Sequence, residues 1–191
     1  MRQIDLRKIF ENINPLHTGS ENLKAAVPRH KFHVLFICTG NVCRSPMAEY
    51  LLRQHLGPQA EWQVSSAGLF TANGMAASLP AIEVLREQGL DLTPHRSRVV
   101  TKDIVDAATL IVVMTTAHVT ELKRRFPEAQ DRIYLLKSFD PGCGGGDIPD
   151  PLGGTTNLYR TIREEIESAL LDLILYLKSY VSKQDEGGIR P

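Results

Sequence analysis

The run Cys38-Thr39-Gly40-Asn41-Val42-Cys43-Arg44-Ser45 places an arginine six positions after a thiol, with a glycine between them. That spacing suits phosphoryl transfer. A short loop turning into a helix points successive backbone N–H groups at one spot, and the helix dipole adds partial positive charge there, so the loop can wrap a dianionic phosphate. Gly40 lets the backbone turn, and Arg44 offers a planar fork for two phosphate oxygens. A free thiol of pKa ~8.5 is only a few per cent thiolate at neutral pH. The donors that hold a phosphate should equally favour the thiolate, which makes Cys38 the expected nucleophile. Attack would give a cysteinyl-phosphate, and the leaving atom then needs a proton. Asp150, held between Pro149 and Pro151, is the expected general acid and then the base for the hydrolytic water. No His/Cys/Asp cluster has metal-ligand spacing, so neither a metal nor a cofactor is expected.

The elements that must position these groups alternate between strand and helix. FHVLFIC (32–38) predicts a buried strand. Ser45-Pro46 followed by MAEYLLRQHL predicts a helix, with Ser45 as its cap and proline in the first turn. Trp62 to Ser66 predicts a second strand, and Ser78-Leu79-Pro80 opens a helix that Gly89 closes. Asp103 to Ala108 predicts a helical turn, and the continuously apolar LIVVM (110–114) a third strand covered on both faces. A helix over Ala117 to Phe126, a fourth strand over Arg132 to Ser138 and a last helix over Thr156 to Val181 follow. This order implies βαβ units and a mostly parallel sheet between helices, with the Cys38 loop at the carboxyl edge where such sheets bind ligands.

The chain has 191 residues, 42% of them hydrophobic and 23% charged, and no apolar run approaches the ~18 residues of a membrane span. A soluble globular protein is expected, with no membrane partner. Lys plus Arg (22) balance Asp plus Glu (22), whereas proteins that grip nucleic acid by neutralising its backbone phosphates usually carry a basic surplus, so nucleic acid is not an expected partner. Three cysteines, at 38, 43 and 143, make no disulfide framework, and no signal-like segment opens the chain, so the cytoplasm is the expected compartment. Residues 1–31 are expected to be a flexible or loosely docked extension, 32–181 the domain that carries the Cys38 loop and 182–191 a tail.

With CTGNVCRSPMAE and the distant DPLGG, the chain resembles the low-molecular-weight protein tyrosine phosphatase family from about Phe32 to Val181. The resemblance implies an α/β, flavodoxin-like three-layer sandwich with a four-stranded parallel sheet. It also implies Cys38 as nucleophile, Arg44 as phosphate ligand and Asp150 as general acid, with phosphorylated proteins as substrates and phosphate or vanadate as inhibitors. Thr39, Gly40, Asn41, Val42, Cys43 and Ser45 complete the phosphate loop. The resemblance further suggests that Asn41, Ser45, Ser66 and His95 form a network holding the loop in a strained shape. The residues alone leave other roles open: a helix cap for Ser45, a strand-end hydroxyl for Ser66, an exposed loop position for His95. Cys43 is either a redox partner of Cys38 or an inert buried thiol.

Val42 and Leu152 are the expected specificity positions. Tyrosine phosphatases of the family usually carry isoleucine at the former and aromatic residues after the Asp-Pro, where this chain has Leu152-Gly153-Gly154. DPLGG resembles the protein arginine phosphatase branch, in which the Val42 position is a threonine whose hydroxyl helps select phosphoarginine. Valine has that shape without the hydrogen bond, so phosphotyrosine is the expected substrate and phosphoarginine the alternative. Arsenate reduction on the same fold needs two further cysteines, and Leu110 to Ala117 has none. A non-catalytic phosphoprotein-binding module would have no chemical reason to keep Cys38, Arg44 and Asp150 together.

Overall fold

The computed structural model describes residues 32–57, 62–140 and 145–186; the expected extension 1–31, Cys143 and the end of the expected tail lie outside the described residues. Strand β1 (Phe32–Cys38) is buried along its whole length. Its residues alternate between two apolar clusters: Val34, Phe36 and Cys38 face one, Leu35 and Ile37 the other. A strand covered on both faces has no solvent side, so its sequence is apolar apart from His33, whose Nε2 lies 2.7 Å from Ser65 Oγ and whose Nδ1 lies 3.1 Å from the Ala107 carbonyl oxygen. β2 (Trp62–Gly68), β3 (Leu110–Val113) and β4 (Ile133–Leu135) complete a parallel sheet of order β2-β1-β3-β4.

Helices cover both faces of this flavodoxin-like three-layer fold. α1 (Arg44–Leu56) and α2 (Leu79–Arg86) pack with the long α5 (Thr156–Glu186). Buried Tyr159, Ile162, Ile166, Leu170, Leu173 and Leu177 form the inward stripe of α5 at helical spacing. The opposite cluster takes Val105 from α3 (Lys102–Asp106) and Leu122 from α4 (Thr116–Arg125). β1 leads out on one side to β2 and is flanked on the other by β3, so the strand order reverses at β1. The crevice beyond its carboxyl end is the place such a sheet offers a ligand. Among the described residues no helix is long and apolar enough to cross a membrane.

Three elements differ from expectation. The fourth strand stops at Leu135, and Leu136–Phe139 form a 3-10 turn. Leu136 and Phe139 are both buried, and a 3-10 turn brings residues three apart to one face, whereas a strand would send them to opposite faces. The first helix begins at Arg44, with Cys43 in the cap position and no side-chain cap, so Ser45 sits inside the first turn. The last helix runs on to Glu186, past the expected end at Val181.

Candidate active site

The loop after β1 curls around the Cys38 sulfur. The Asn41 N–H donates to Sγ at 3.3 Å and the Ser45 hydroxyl lies 3.0 Å from it. The Asn41 side-chain amide donates to Ser45 Oγ at 3.0 Å, and two acceptors stand within reach of that hydroxyl's proton, the Cys38 sulfur at 3.0 Å and the Ala67 carbonyl oxygen at 3.5 Å. This explains why Ser45 is not the cap: its hydroxyl is already engaged inside the loop. Asn41 itself is fully buried at φ 52°, the left-handed region that a non-glycine residue occupies only when its surroundings hold it there. Its side-chain amide also donates to Ser66 Oγ (2.8 Å), its Oδ1 accepts from the Arg98 N–H (3.0 Å), and its carbonyl accepts from His95 Nε2 (2.8 Å). Asn41, Ser45, Ser66 and His95, expected to form one network, are brought together behind the loop, and His95 is buried. Gly68, at the end of β2, is required by close approach: a Cβ there would stand 2.9 Å from the Thr39 carbonyl oxygen and 3.1 Å from Asn41 Cβ.

Arg44 is buried and bridges two loops. Nη1 donates to the Ile148 carbonyl at 3.1 Å, while Nη2 pairs with the Asp150 carboxylate and reaches Thr39 Oγ1 at 3.4 Å. Nε is buried with no hydrogen-bond partner. Nε and Nη2 form one edge of the guanidinium, the edge that fits two oxygens of a tetrahedral anion. The loop carrying Asp150 is held by Ile148, whose N–H donates to the Met114 carbonyl just after β3 (2.7 Å), and by Asp147, which accepts from Thr116 N at the start of α4 (2.8 Å). Asp150 Oδ1 accepts from Leu152 N–H at 3.2 Å, an Asx turn that sets the Asp-Pro-Leu corner.

Cys38, Thr39, Gly40, Val42, Cys43, Arg44, Asp150 and Leu152 all line one cavity of about 470 Å³. Its remaining wall comes from Phe70 to Ala72 and Met75. Phe70 is 60% exposed, and the Arg125 guanidinium lies 4.5 Å above its ring. Among the described residues no group of His, Cys, Asp and Glu could hold a metal ion.

The family model described as low molecular weight phosphotyrosine protein phosphatase matches residues 33–184. The chain belongs to that family. A protein-arginine-phosphatase of Geobacillus stearothermophilus is 45% identical over 139 residues, 73% of this chain and 91% of its own. A solved arginine phosphatase structure from the same organism superposes with a TM-score of 0.74 at 41% identity, covering 84% of this chain and 99% of that one. The tyrosine phosphatase Wzb of Escherichia coli K30, solved with sulphate, gives 0.69 at 31% identity over 76% of this chain and 97% of its own.

Several residues of this phosphatase were not singled out from sequence. Phe70 follows Gly68 on the same carboxyl edge, and its N–H donates to the Thr39 carbonyl at 2.9 Å; its place after β2 was the available signal. Glu49, four residues after Ser45 on an otherwise apolar helix face, is buried and accepts from Ser66 Oγ at 2.5 Å while pairing with Arg53 at 2.6 Å. Cys43 Sγ lies 3.1 Å from the Tyr159 hydroxyl and donates to Ser78 Oγ at 3.3 Å. Burial pushes the Cys43 thiol up, and burial followed by the Cys43 bond pushes Tyr159 up to about 12. His118, in the first turn of α4, places Nε2 3.0 Å from Thr39 Oγ1. Burial first, and the nearby Arg44 cation second, push its imidazole down to about 4.

Proposed function

We propose that this phosphatase hydrolyses phosphotyrosine in proteins by two displacements at Cys38. The supporting observation is the convergence in one cavity of a sulfur bonded by the Asn41 N–H and the Ser45 hydroxyl, Arg44 with its unpartnered Nε, and Asp150 beside an apolar wall of Val42, Phe70 and Leu152. The phosphoryl group sits in the loop, takes its bidentate hold from Arg44 Nε and Nη2, and displaces Asp150 from that edge. Cys38 Sγ attacks phosphorus and the P–O bond to the tyrosyl oxygen breaks. Asp150 gives its proton to that oxygen. In the second step Asp150 takes a proton from water, the water oxygen attacks phosphorus, the S–P bond breaks, and phosphate leaves with Cys38 restored. Loop N–H groups and Arg44 stabilise the charge on the equatorial oxygens in both steps.

The remaining roles follow from the same arrangement. Asn41, Ser45, Ser66 and His95 hold the loop. Val42 and Leu152 set specificity, together with Phe70, which stands where the family's aromatic wall is missing after Asp150. Phosphate and vanadate occupy the loop as inhibitors. Cys43, adjacent in the loop, traps oxidised Cys38 as a disulfide that thiols reverse, a protection suited to a cytoplasmic thiol enzyme. Residues 32–181 form the phosphatase domain, with 1–31 an appended segment and 182–191 the tail.

A second reading, protein arginine phosphatase by the same steps, is supported by the 45% identical relative and the DPLGG corner. Against it stands Val42, which offers methyl groups where a guanidino nitrogen needs an acceptor. Parallel kinetics on a phosphotyrosine and a phosphoarginine peptide decide between them. A kcat/KM preference for tyrosine of about tenfold or more, or 1.4 kcal/mol of transition-state discrimination, supports the first reading, and the reverse preference replaces it.

A further inference from the structure

His118 is buried, belongs to no part of the hydrolytic sequence above, and hydrogen-bonds to the phosphate loop at Thr39 Oγ1. Its backbone N–H is capped by Thr115 Oγ1 at 3.2 Å, so the ring is carried on a fixed helix start directly after β3. Nδ1 is buried without a hydrogen-bond partner. That fact assigns the tautomer. If Nδ1 carried the proton, a buried N–H donor would be orphaned; if Nε2 carries it, only an acceptor is left over, and native proteins tolerate that far better. Nε2–H therefore donates to Thr39 Oγ1.

Thr39 Oγ1 also receives Arg44 Nη2–H at 3.4 Å. A hydroxyl has two acceptor positions and one proton. With both acceptor positions taken by His118 and Arg44, the proton is the part of Thr39 left to bond elsewhere. Thr39 lines the cavity that holds Cys38 and Asp150, and it also lines a neighbouring cavity of about 380 Å³ shared with His118.

We propose that His118 is a positioning residue of the phosphate loop: it fixes the Thr39 hydroxyl so that its proton is presented to an equatorial oxygen of the bound phosphoryl group. The loop thus gains a side-chain donor besides its backbone N–H groups and Arg44. Because the ring is uncharged, the donor is aimed without adding a second cation beside Arg44. This inference rests on the phosphatase reading and adds to it a residue outside the loop.

The test compares wild type with H118F, H118Q, T39V and the double variant T39V/H118F, using kcat/KM on an aryl phosphate and inhibition by vanadate. Gln places a donor at the Nε2 position and Phe does not. H118F and T39V are each expected to lower kcat/KM about tenfold and to weaken vanadate inhibition similarly, the loss of one hydrogen bond. H118Q recovers most of the H118F loss, and the double variant is no worse than T39V alone, because His118 acts only through Thr39. A double variant with multiplied losses, or an H118Q protein that folds normally yet matches H118F, overturns the proposal. The ring ¹⁵N spectrum of the wild type gives a check that needs neither a variant nor turnover: Nε2 carries the proton at neutral pH, and protonation at Nδ1 overturns the assignment. Failure of the phosphatase reading looks different, as a wild-type protein that releases no phosphate from any substrate.

Discussion

Replacing Asn41 with alanine removes the piece on which the loop's shape depends. The side chain makes three hydrogen bonds, to Ser45, Ser66 and the Arg98 N–H, all around a fully buried residue. At about 1 kcal/mol each their loss costs about 3 kcal/mol. Alanine at φ 52° adds about 1 kcal/mol, since asparagine tolerates the left-handed region and alanine does not. The sum of about 4 kcal/mol corresponds to a fall in Tm of roughly 8–16 °C for a domain of this size. N41G separates the two parts: it relieves the backbone but not the hydrogen bonds, and is expected to be about 1 kcal/mol more stable than N41A. Equilibrium urea unfolding measures both variants. Activity follows, because the Asn41 N–H and the Ser45 hydroxyl that Asn41 holds are the two polar partners of the Cys38 sulfur. A loss below about 1 kcal/mol with unchanged kcat would refute the claim that this network shapes the loop. Equal stabilities for N41A and N41G would refute the strain alone.

D150A is expected to lose far more kcat on substrates with poor leaving groups than on activated aryl phosphates, and equal losses across a leaving-group series would remove Asp150 as the acid. F70A should raise KM for aryl phosphates severalfold while leaving vanadate inhibition near wild type, measured side by side; an unchanged KM means Phe70 does not touch the ring. His118, facing Arg44, Asp150 and Asp147, is neutral when folded, and an unfolded histidine titrates near 6.5. Its share of stability is full above that value and is lost as pH falls towards about 4, by up to about 1.4 kcal/mol per pH unit, as the unfolded chain takes up a proton that the folded form refuses. The gap in urea midpoint between wild type and H118Q should narrow on acidification, and a gap independent of pH contradicts the assignment. After mild peroxide, wild type should recover fully with thiol and C43A should not; equal recovery ends the protective role of Cys43.

The core of the fold was legible because its signals are local. β3 is an unbroken apolar run and β1 is interrupted only by His33, since both faces of the sheet are covered, and the glycine, thiol and arginine of the loop have few uses in that combination. Where the reading went astray, the deciding contact is distant in sequence. Nothing near Leu136 says that it and Phe139 must both turn into the core, and the local pattern of Arg132 to Ser138 reads as strand throughout. A serine before a proline suits a helix cap, and only the folded loop shows that Ser45 is already bound to Asn41 and the Cys38 sulfur. The Leu152-Gly153-Gly154 stretch after Asp150 carries no aromatic residue, and the ring that lines the cavity, Phe70, comes from the segment after β2. Glu49 and His118 are polar residues whose partners, Ser66 and Thr39, come from other elements, and no periodicity encodes such pairs.

Both displacements pass through the cysteinyl-phosphate on Cys38. Rapid quenching of D150A with an activated aryl phosphate should trap it, because loss of the base slows hydrolysis of the intermediate more than its formation. Mass spectrometry of the digested protein is then expected to find one phosphoryl group on the peptide containing Cys38, and none when the same experiment is run with Cys38→Ala. Phosphate release at the wild-type rate from Cys38→Ala, or a phosphoryl group on any other residue, would contradict nucleophilic catalysis at Cys38.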